Sequence, residues 1–360
     1  MSRTSRRLQG LVQSDIRRMT RECERVGGIN LGQGICDLPT PLPVRDGAIA
    51  AILERRSTYS FMEGVPTLRQ AIAGKLEREN GLRADPEREI VVTVGASGAY
   101  TAALHALFDP GDGILVFEPF YGYHVNTALV AGLEPQYLRL EAPNFALSET
   151  ALRASLRPNT RAIVVCSPAN PGGKMFTRAE LELIARVAVE RDLVVITDEI
   201  YESITYDGRE HISAATIPGL RERSVTIMGL SKTFSITGWR LGYAVAREDW
   251  ARAIALVNDL YYICAPTPLQ HGVAAGFSLP ESFYTELRES YARKREWTCR
   301  ALERAGLAPV WPQGAYYVLA DVSRRGFADA RSAAMNLLEK VGVATIPGTA
   351  FFTGTAGERW

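Results

Sequence analysis

Lysine is scarce in this chain. Only Lys75, Lys174, Lys232, Lys294 and Lys340 occur, within 41 lysines and arginines together. A reaction that needs a side-chain amine therefore has few candidates. Cysteine is scarce as well: Cys23, Cys36, Cys166, Cys264 and Cys299 are scattered, with no CxxC pair. That argues against a disulfide framework and a metal site, and fits a reduced, cytoplasmic setting. Excess charge is missing too. The formal net charge is +1, so no strong field calls for nucleic acid or an anionic membrane. No apolar run reaches the roughly 18 residues of a membrane span. Arg3, Arg6 and Arg7 make the start basic, but no apolar stretch follows them as in a signal peptide. There is no internal repeat, no low-complexity tract and no GxGxxG dinucleotide fingerprint.

What is present is an ordinary globular composition, 46% hydrophobic and 22% charged over 360 residues. That is enough for one large domain and a smaller one. Helical patterns are expected at Ser14–Val26, 44–55 and 66–79, with Pro39, Pro41 and Pro43 breaking the chain between the first two. From 90 to 250, short Val/Ile-rich runs alternate with amphipathic stretches. The runs are Ile90–Val94, Ile114–Phe117, Ala162–Cys166, Leu193–Thr197, Val225–Met228 and Gly242–Ala246. They show little polar alternation, as strands buried on both faces of a mostly parallel sheet do. Gly98–Phe108 and Arg178–Arg191 supply crossover helices. Beyond about 280 the pattern changes to a long polar helix, 281–305, with strands expected at Ala315–Asp321 and Gly342–Ile346. The expected division is a large domain over 44–278 and a small α+β domain from 1–43 and 279–360.

Ligands of an open parallel sheet bind at the carboxyl ends of its strands, so the residues after each run are the candidates. Gly95-Ala96-Ser97-Gly98 opens a helix, and small residues with free N–H groups suit an anion; a plain βα turn reads the same way. Tyr121 follows the second run and could stack on a flat ring or simply pack in the core. Asn170 precedes Pro171, is pushed out of the helical region, and could turn its amide into a cleft or merely form a turn. Asp198 ends the fourth run, where a carboxylate needs a cation unless it caps a helix. Lys232 lies in a small-residue loop, Gly229 to Arg240, where burial would favour a neutral, nucleophilic amine. Arg240 offers a guanidinium fork to a phosphate. Together these sites match a phosphate, a flat ring, a phenolic oxygen, a pyridine nitrogen and an aldehyde, the groups of pyridoxal 5′-phosphate (PLP).

The stretch Ser231–Tyr243 (SKTFSITGWRLGY), with Asn170-Pro171-Gly172, Asp198-Glu199-Ile200-Tyr201 and Tyr59–Arg69, resembles the fold-type I PLP enzymes, specifically the class I/II aminotransferases. The likeness runs from about residue 28 to the end. Asn30–Asp37 (NLGQGICD) is similar to the kynurenine/glutamine transaminase branch. The resemblance implies an α/β fold, with a mostly parallel central sheet flanked by helices plus the small domain. It implies that Lys232 holds PLP as a Schiff base and shuttles a proton, and that Asp198 pairs with the pyridinium nitrogen. Tyr201 and Asn170 would bond the phenolic oxygen, and Tyr121 would stack on the ring. Gly95, Ala96, Ser97, Ser231 and Arg240 would surround the phosphate, with Tyr59 reaching in from a second subunit of a homodimer. Gly34, Ile35 and Asn170 would face the substrate. No metal is implied.

Three positions depart from the family pattern. A phosphate-binding serine three residues before the lysine is Gly229 here. Ile35-Cys36-Asp37 replaces an aromatic and a proline. The substrate-carboxylate arginine should follow the Pro347–Phe351 stretch by roughly fifteen residues; Arg359 comes a few positions early, and the expectation is a truncated chain. The leading function is ping-pong amino transfer between an L-amino acid and a 2-oxo acid. The alternative is a PLP-dependent β-eliminating lyase, or an oxidative or cyclising enzyme. Ile35, Tyr123, Tyr261, Tyr262 and Tyr316 hint at a non-acidic amino donor, or are core. An effector-binding domain of a transcription regulator is disfavoured by the short leading segment and the near-zero charge, and a nicotinamide dehydrogenase by the absent glycine fingerprint.

Overall fold

All six apolar runs become strands of one seven-stranded sheet. The computed structural model describes residues 5, 8, 11 and 15–360; Arg3, Arg6, Arg7 and Ser14 lie outside the described residues. The chain begins with α1 (Asp15–Val26), β1 (Ile29–Asn30), α2 (Leu42–Leu53) and α3 (Pro66–Asn80). The central part is β2 (Ile90–Val94), α4 (Gly95–Leu107), β3 (Gly113–Glu118), α5 (Gly122–Val130), β4 (Glu134–Arg139), α6 (Glu149–Ser155), β5 (Thr160–Cys166), α7 (Arg178–Glu190), β6 (Val194–Asp198), β7 (Ser224–Gly229) and β8 (Leu241–Val245). There follow α8 (Glu248–Tyr262), α9 (Thr267–Gly276), α10 (Glu281–Arg304), β9 (Ala308–Val310), β10 (Leu319–Asp321), α11 (Ala330–Val341) and β11 (Val343–Ala344).

The sheet order is β2-β8-β7-β6-β5-β3-β4. Only β8 runs against the others, pairing antiparallel with both β2 and β7. The carboxyl ends of the remaining strands therefore open on one side. Both faces are covered, which explains the unbroken apolar runs. Leu115, Ile163 and Val195 pack with Leu181, Ile184 and Val187 of α7 on one face. Val116, Val164, Ile196 and Ile227 pack with Leu104 of α4 and Ile254 of α8 on the other. Thr177 and Glu180 close a capping box at the start of α7, one orphan N–H satisfied by each. Away from this sheet, β1 pairs parallel with β11, so the beginning and end of the described chain meet.

Two expectations are corrected, and one strand was not anticipated. Strand β4 carries no apolar run; it is an edge strand, and its inward position Gln136 is satisfied by Asn159 at 3.0 Å and Thr160 at 2.5 Å. The strand expected over Ala315–Asp321 shortens to Leu319–Asp321, because Ala315 turns the backbone into the left-handed region (φ +59°). Gly342 is not in a strand: at φ +73° it ends α11, and β11 is Val343–Ala344 alone.

Candidate active site

Of the five lysines, three are ion-paired elsewhere: Lys75 with Glu202, Lys174 with Glu180 at 2.7 Å and Lys294 with Asp37 at 2.6 Å. Lys340 is exposed in the last turn of α11. Lys232 is half-buried and makes no ion pair among the described residues. Its Nζ donates to the Gly34 carbonyl at 3.1 Å and lies 5.4 and 5.8 Å from the ring centres of Tyr316 and Tyr201. The Gly34 carbonyl also accepts from the Tyr316 hydroxyl at 3.0 Å. Burial holds the Lys232 ammonium below its ordinary range; Cys36 and Asp198 oppose this and Arg240 adds to it. A larger share of neutral, nucleophilic amine follows.

Asp198 ends β6 with little exposure. One carboxylate oxygen meets His124 Nε2 at 2.9 Å, and the other accepts from the Ile200 amide at 3.2 Å. Sequence reasoning missed His124. It sits three residues after Tyr121, in the first turn of α5, and its ring meets Tyr121 edge-on at 5.3 Å. The signal was there: the chain has four histidines, and this one follows an apolar strand end. Tyr201, which is buried, shares a 2.8 Å hydrogen bond with the Tyr317 hydroxyl. Burial pushes the Tyr317 phenol up to about 12. Tyr317 was missed as well, hidden inside an expected strand. Asn170 is buried and lines a cavity beside Tyr121, His124 and Cys166.

The remaining candidates form an anion cradle. Helix α4 begins at Gly95 rather than at Gly98, so Gly95, Ala96 and Ser97 are its first turn. Their N–H groups lack intrahelical acceptors. Gly95 has φ +72°, and a Cβ there would lie 2.6 Å from Arg240 Nη2. Arg240 donates to Ser97 Oγ at 3.1 Å and to the Thr237 carbonyl at 2.9 Å. It makes no ion pair among the described residues, and its backbone is left-handed at φ +56°. That conformation costs about 1–3 kcal/mol in a residue with a side chain, and such strain gathers at functional sites. Ser231 is buried directly before the lysine. Cradle, buried acid, phenol pair and half-buried amine fit the phosphate, ring nitrogen, phenolic oxygen and aldehyde of PLP.

Not every candidate joins this cluster within one chain. Tyr59 is 78% exposed and Ile35 is 59% exposed. Tyr261 and Tyr262 are exposed at the end of α8, among Leu256 and Leu260. Arg359 pairs with Asp321 at 2.8 Å and stacks on Trp360. Gly229 has a structural reason to lack the expected hydroxyl. A Cβ there would run into Ile200, with Cδ1 at 2.5 Å. Gly229→Ser is therefore expected to cost roughly 1–3 kcal/mol through overpacking, and adding Ile200→Val should recover part of it. Urea unfolding reads both; an unchanged midpoint in Gly229→Ser would show that Ile200 is not what keeps the position small.

Similarity to known proteins agrees with this geometry. The family described as aminotransferase class I and II matches residues 26–359. A probable N-succinyldiaminopimelate aminotransferase of Mycobacterium tuberculosis is 34% identical over 99% of this chain and 90% of its own. Kynurenine–oxoglutarate transaminase 1 of Homo sapiens is 34% identical over 82% of this chain and 75% of its own. The solved structure of the N-succinyldiaminopimelate aminotransferase from Mycobacterium tuberculosis superimposes with a TM-score of 0.95 at 34% identity, covering 99% of this chain and 94% of that one. The chain thus belongs to the class I and II aminotransferases, and it is a fold-type I, PLP-dependent enzyme that transfers amino groups between amino acids and 2-oxo acids.

Proposed function

We propose that Lys232 is the residue that carries the cofactor, and that its neighbours run the two half-reactions of the transfer. The observation that carries this reading is the placement of Lys232 Nζ, unpaired by any described carboxylate, at 3.1 Å from the Gly34 carbonyl and between two tyrosine rings. When bound, PLP supplies an electron sink for the pair released at the substrate Cα. The Lys232 amine takes the Cα proton onto Nζ and later returns a proton from the same atom. Asp198, fixed by His124 and the Ile200 amide, holds negative charge for the ring nitrogen. Tyr201 and Asn170 would bond the phenolic oxygen, and Tyr121 would cover the ring. Gly95, Ala96, Ser97, Ser231 and Arg240 would hold the phosphate. Gly34, Ile35 and Asn170 receive the substrate.

The reading extends to assembly. Leu42, Ile49, Ile52 and Leu53 of α2 are exposed, as are Phe61 and, at the end of α8, Leu256, Leu260 and Ile263. Apolar exposure on this scale marks an interface. A second copy covering it would bring Tyr59 to the other subunit's phosphate cradle, and sedimentation should then report a mass of two chains; a monomer at micromolar concentration would refute it. The large unit is read as 44–278, and the small one as 1–43 with 279–360, supported by the β1–β11 pairing. Free cysteines support a cytoplasmic location, and no helix among the described residues is long and apolar enough to cross a membrane.

Lys232→Ala is expected to lower the rate of either half-reaction by about 10³-fold or more, since positioned proton transfer alone contributes roughly 10²–10⁴. The burial of Lys232 fixes the sign of the pH dependence. Uptake of PLP by the cofactor-free chain needs the neutral amine, so it should rise with pH to a midpoint below 10.5, the ordinary lysine value. A midpoint at or above that value, or a Lys232→Ala enzyme of undiminished rate, would contradict the assignment.

A further inference from the structure

Asp198 and Glu199 are consecutive carboxylates at the end of β6, and only the first has work under the reading above. Glu199 is buried. One of its oxygens accepts from the Thr197 hydroxyl at 2.9 Å, the Ser213 hydroxyl at 3.3 Å and the Ala214 amide at 3.1 Å; the other meets His211 Nε2 at 2.8 Å. His211 Nδ1 is buried without a partner among the described residues. An apolar ring would serve packing better than this imidazole, so the bond to Glu199 is what His211 contributes. Three residues on, Glu202 is a second carboxylate with little exposure, held by Lys75 and by Asn80 Nδ2 at 2.8 Å. The Glu202 amide donates to the Glu199 carbonyl at 3.0 Å, which closes a four-residue turn. Its two central residues are Ile200, whose amide bonds Asp198 at 3.2 Å, and Tyr201, whose ring centre lies 5.8 Å from Lys232 Nζ. The turn that presents these groups is thus anchored at both ends by carboxylates whose partners lie outside the site.

We infer that Glu199 and Glu202, with His211 and Lys75, are positioning residues for the transfer: they fix the turn so that the Ile200 amide meets Asp198 and the Tyr201 hydroxyl reaches the phenolic oxygen of the cofactor. This rests on the proposed role of Tyr201. Stability alone does not account for the arrangement. Buried ion pairs rarely stabilise more than apolar side chains of similar volume, whereas a satisfied set of directional bonds holds a turn to one geometry. The Tyr201 hydroxyl is bonded to Tyr317 at 2.8 Å, so a turn free to shift would disturb both phenols. A misplacement of about 1 Å can cost a factor of about 10² in rate.

The test follows the visible absorbance of the PLP-loaded enzyme against pH. Tyr201→Phe sets the scale. A donor to the phenolic oxygen favours its charged form; without that donor the cofactor holds its proton to a higher pH, and the midpoint should rise by about half to one pH unit. Glu199→Ala and His211→Phe leave Tyr201 in place, yet should move the midpoint the same way by part of that amount. They should also weaken PLP binding by about threefold to tenfold and lower kcat by about tenfold or more, with KM within about threefold of wild type. Glu199→Gln, which keeps an acceptor for Ala214 and Ser213, should recover most of each change. Urea unfolding of the same variants separates stability from position, and His211→Phe carries the test if Glu199→Ala does not fold. A lower urea midpoint with the absorbance midpoint and kcat at wild-type values would mean that the anchors serve stability alone, and would overturn the inference, as would no change in any of these readings. A Tyr201→Phe enzyme with the wild-type absorbance midpoint would strike at the role of Tyr201 itself, and the inference would fall with it.

Discussion

Asp198 stands at the end of a strand buried on both faces, and a lone carboxylate there would cost several kcal/mol. The surrounding architecture answers that cost. His124 comes from the first turn of α5, the Ile200 amide from the residues just beyond β6, and together they engage both carboxylate oxygens. His124 also carries the Tyr121 ring edge-on. The acid and the Tyr121 ring are therefore positioned by one imidazole. A sheet whose strand ends face one way brings these groups to the loop after β7, where Lys232 sits, and to the start of α4, where Arg240 meets Ser97.

Charge is distributed with the same economy. Lys75, Lys174 and Lys294 each have a carboxylate, whereas Lys232 and Arg240 have none among the described residues. Arg240 also holds a left-handed backbone that its side chain makes unfavourable. Both residues are held by contacts with neutral oxygens, Gly34 for one and Ser97 and Thr237 for the other. Two such cations suit the proposed phosphate-bearing cofactor, whose own charge would complete them.

The sheet was legible because strands buried on both faces must be apolar throughout, and the six runs from Ile90 to Ala246 are. Edge strand β4 was not, since its inward Gln136 is satisfied by hydrogen bonds instead of apolar contacts. Lys232, Asp198, Asn170 and Arg240 could be read from the residue types that follow each strand. His124 and Tyr317 could not be assigned that way: one reaches the site from the first turn of a helix, the other from a segment where Ala315 breaks the strand. Gly229 was a departure from the family pattern with no visible cause until Ile200 was seen to fill the space. Tyr59 and Ile35 were legible as positions only; both are exposed within one chain, so the proposed use of each needs a second subunit or a bound substrate.

The scarcity of lysine makes the central claim unusually open to measurement. Borohydride reduction of the PLP-loaded enzyme fixes the cofactor covalently to the amine that carries it, and peptide mass spectrometry then locates it among five lysines. A single labelled peptide is expected, the one containing Lys232. Label on Lys75, Lys174, Lys294 or Lys340, or an enzyme that binds PLP and transfers amino groups without any label at Lys232, would contradict it.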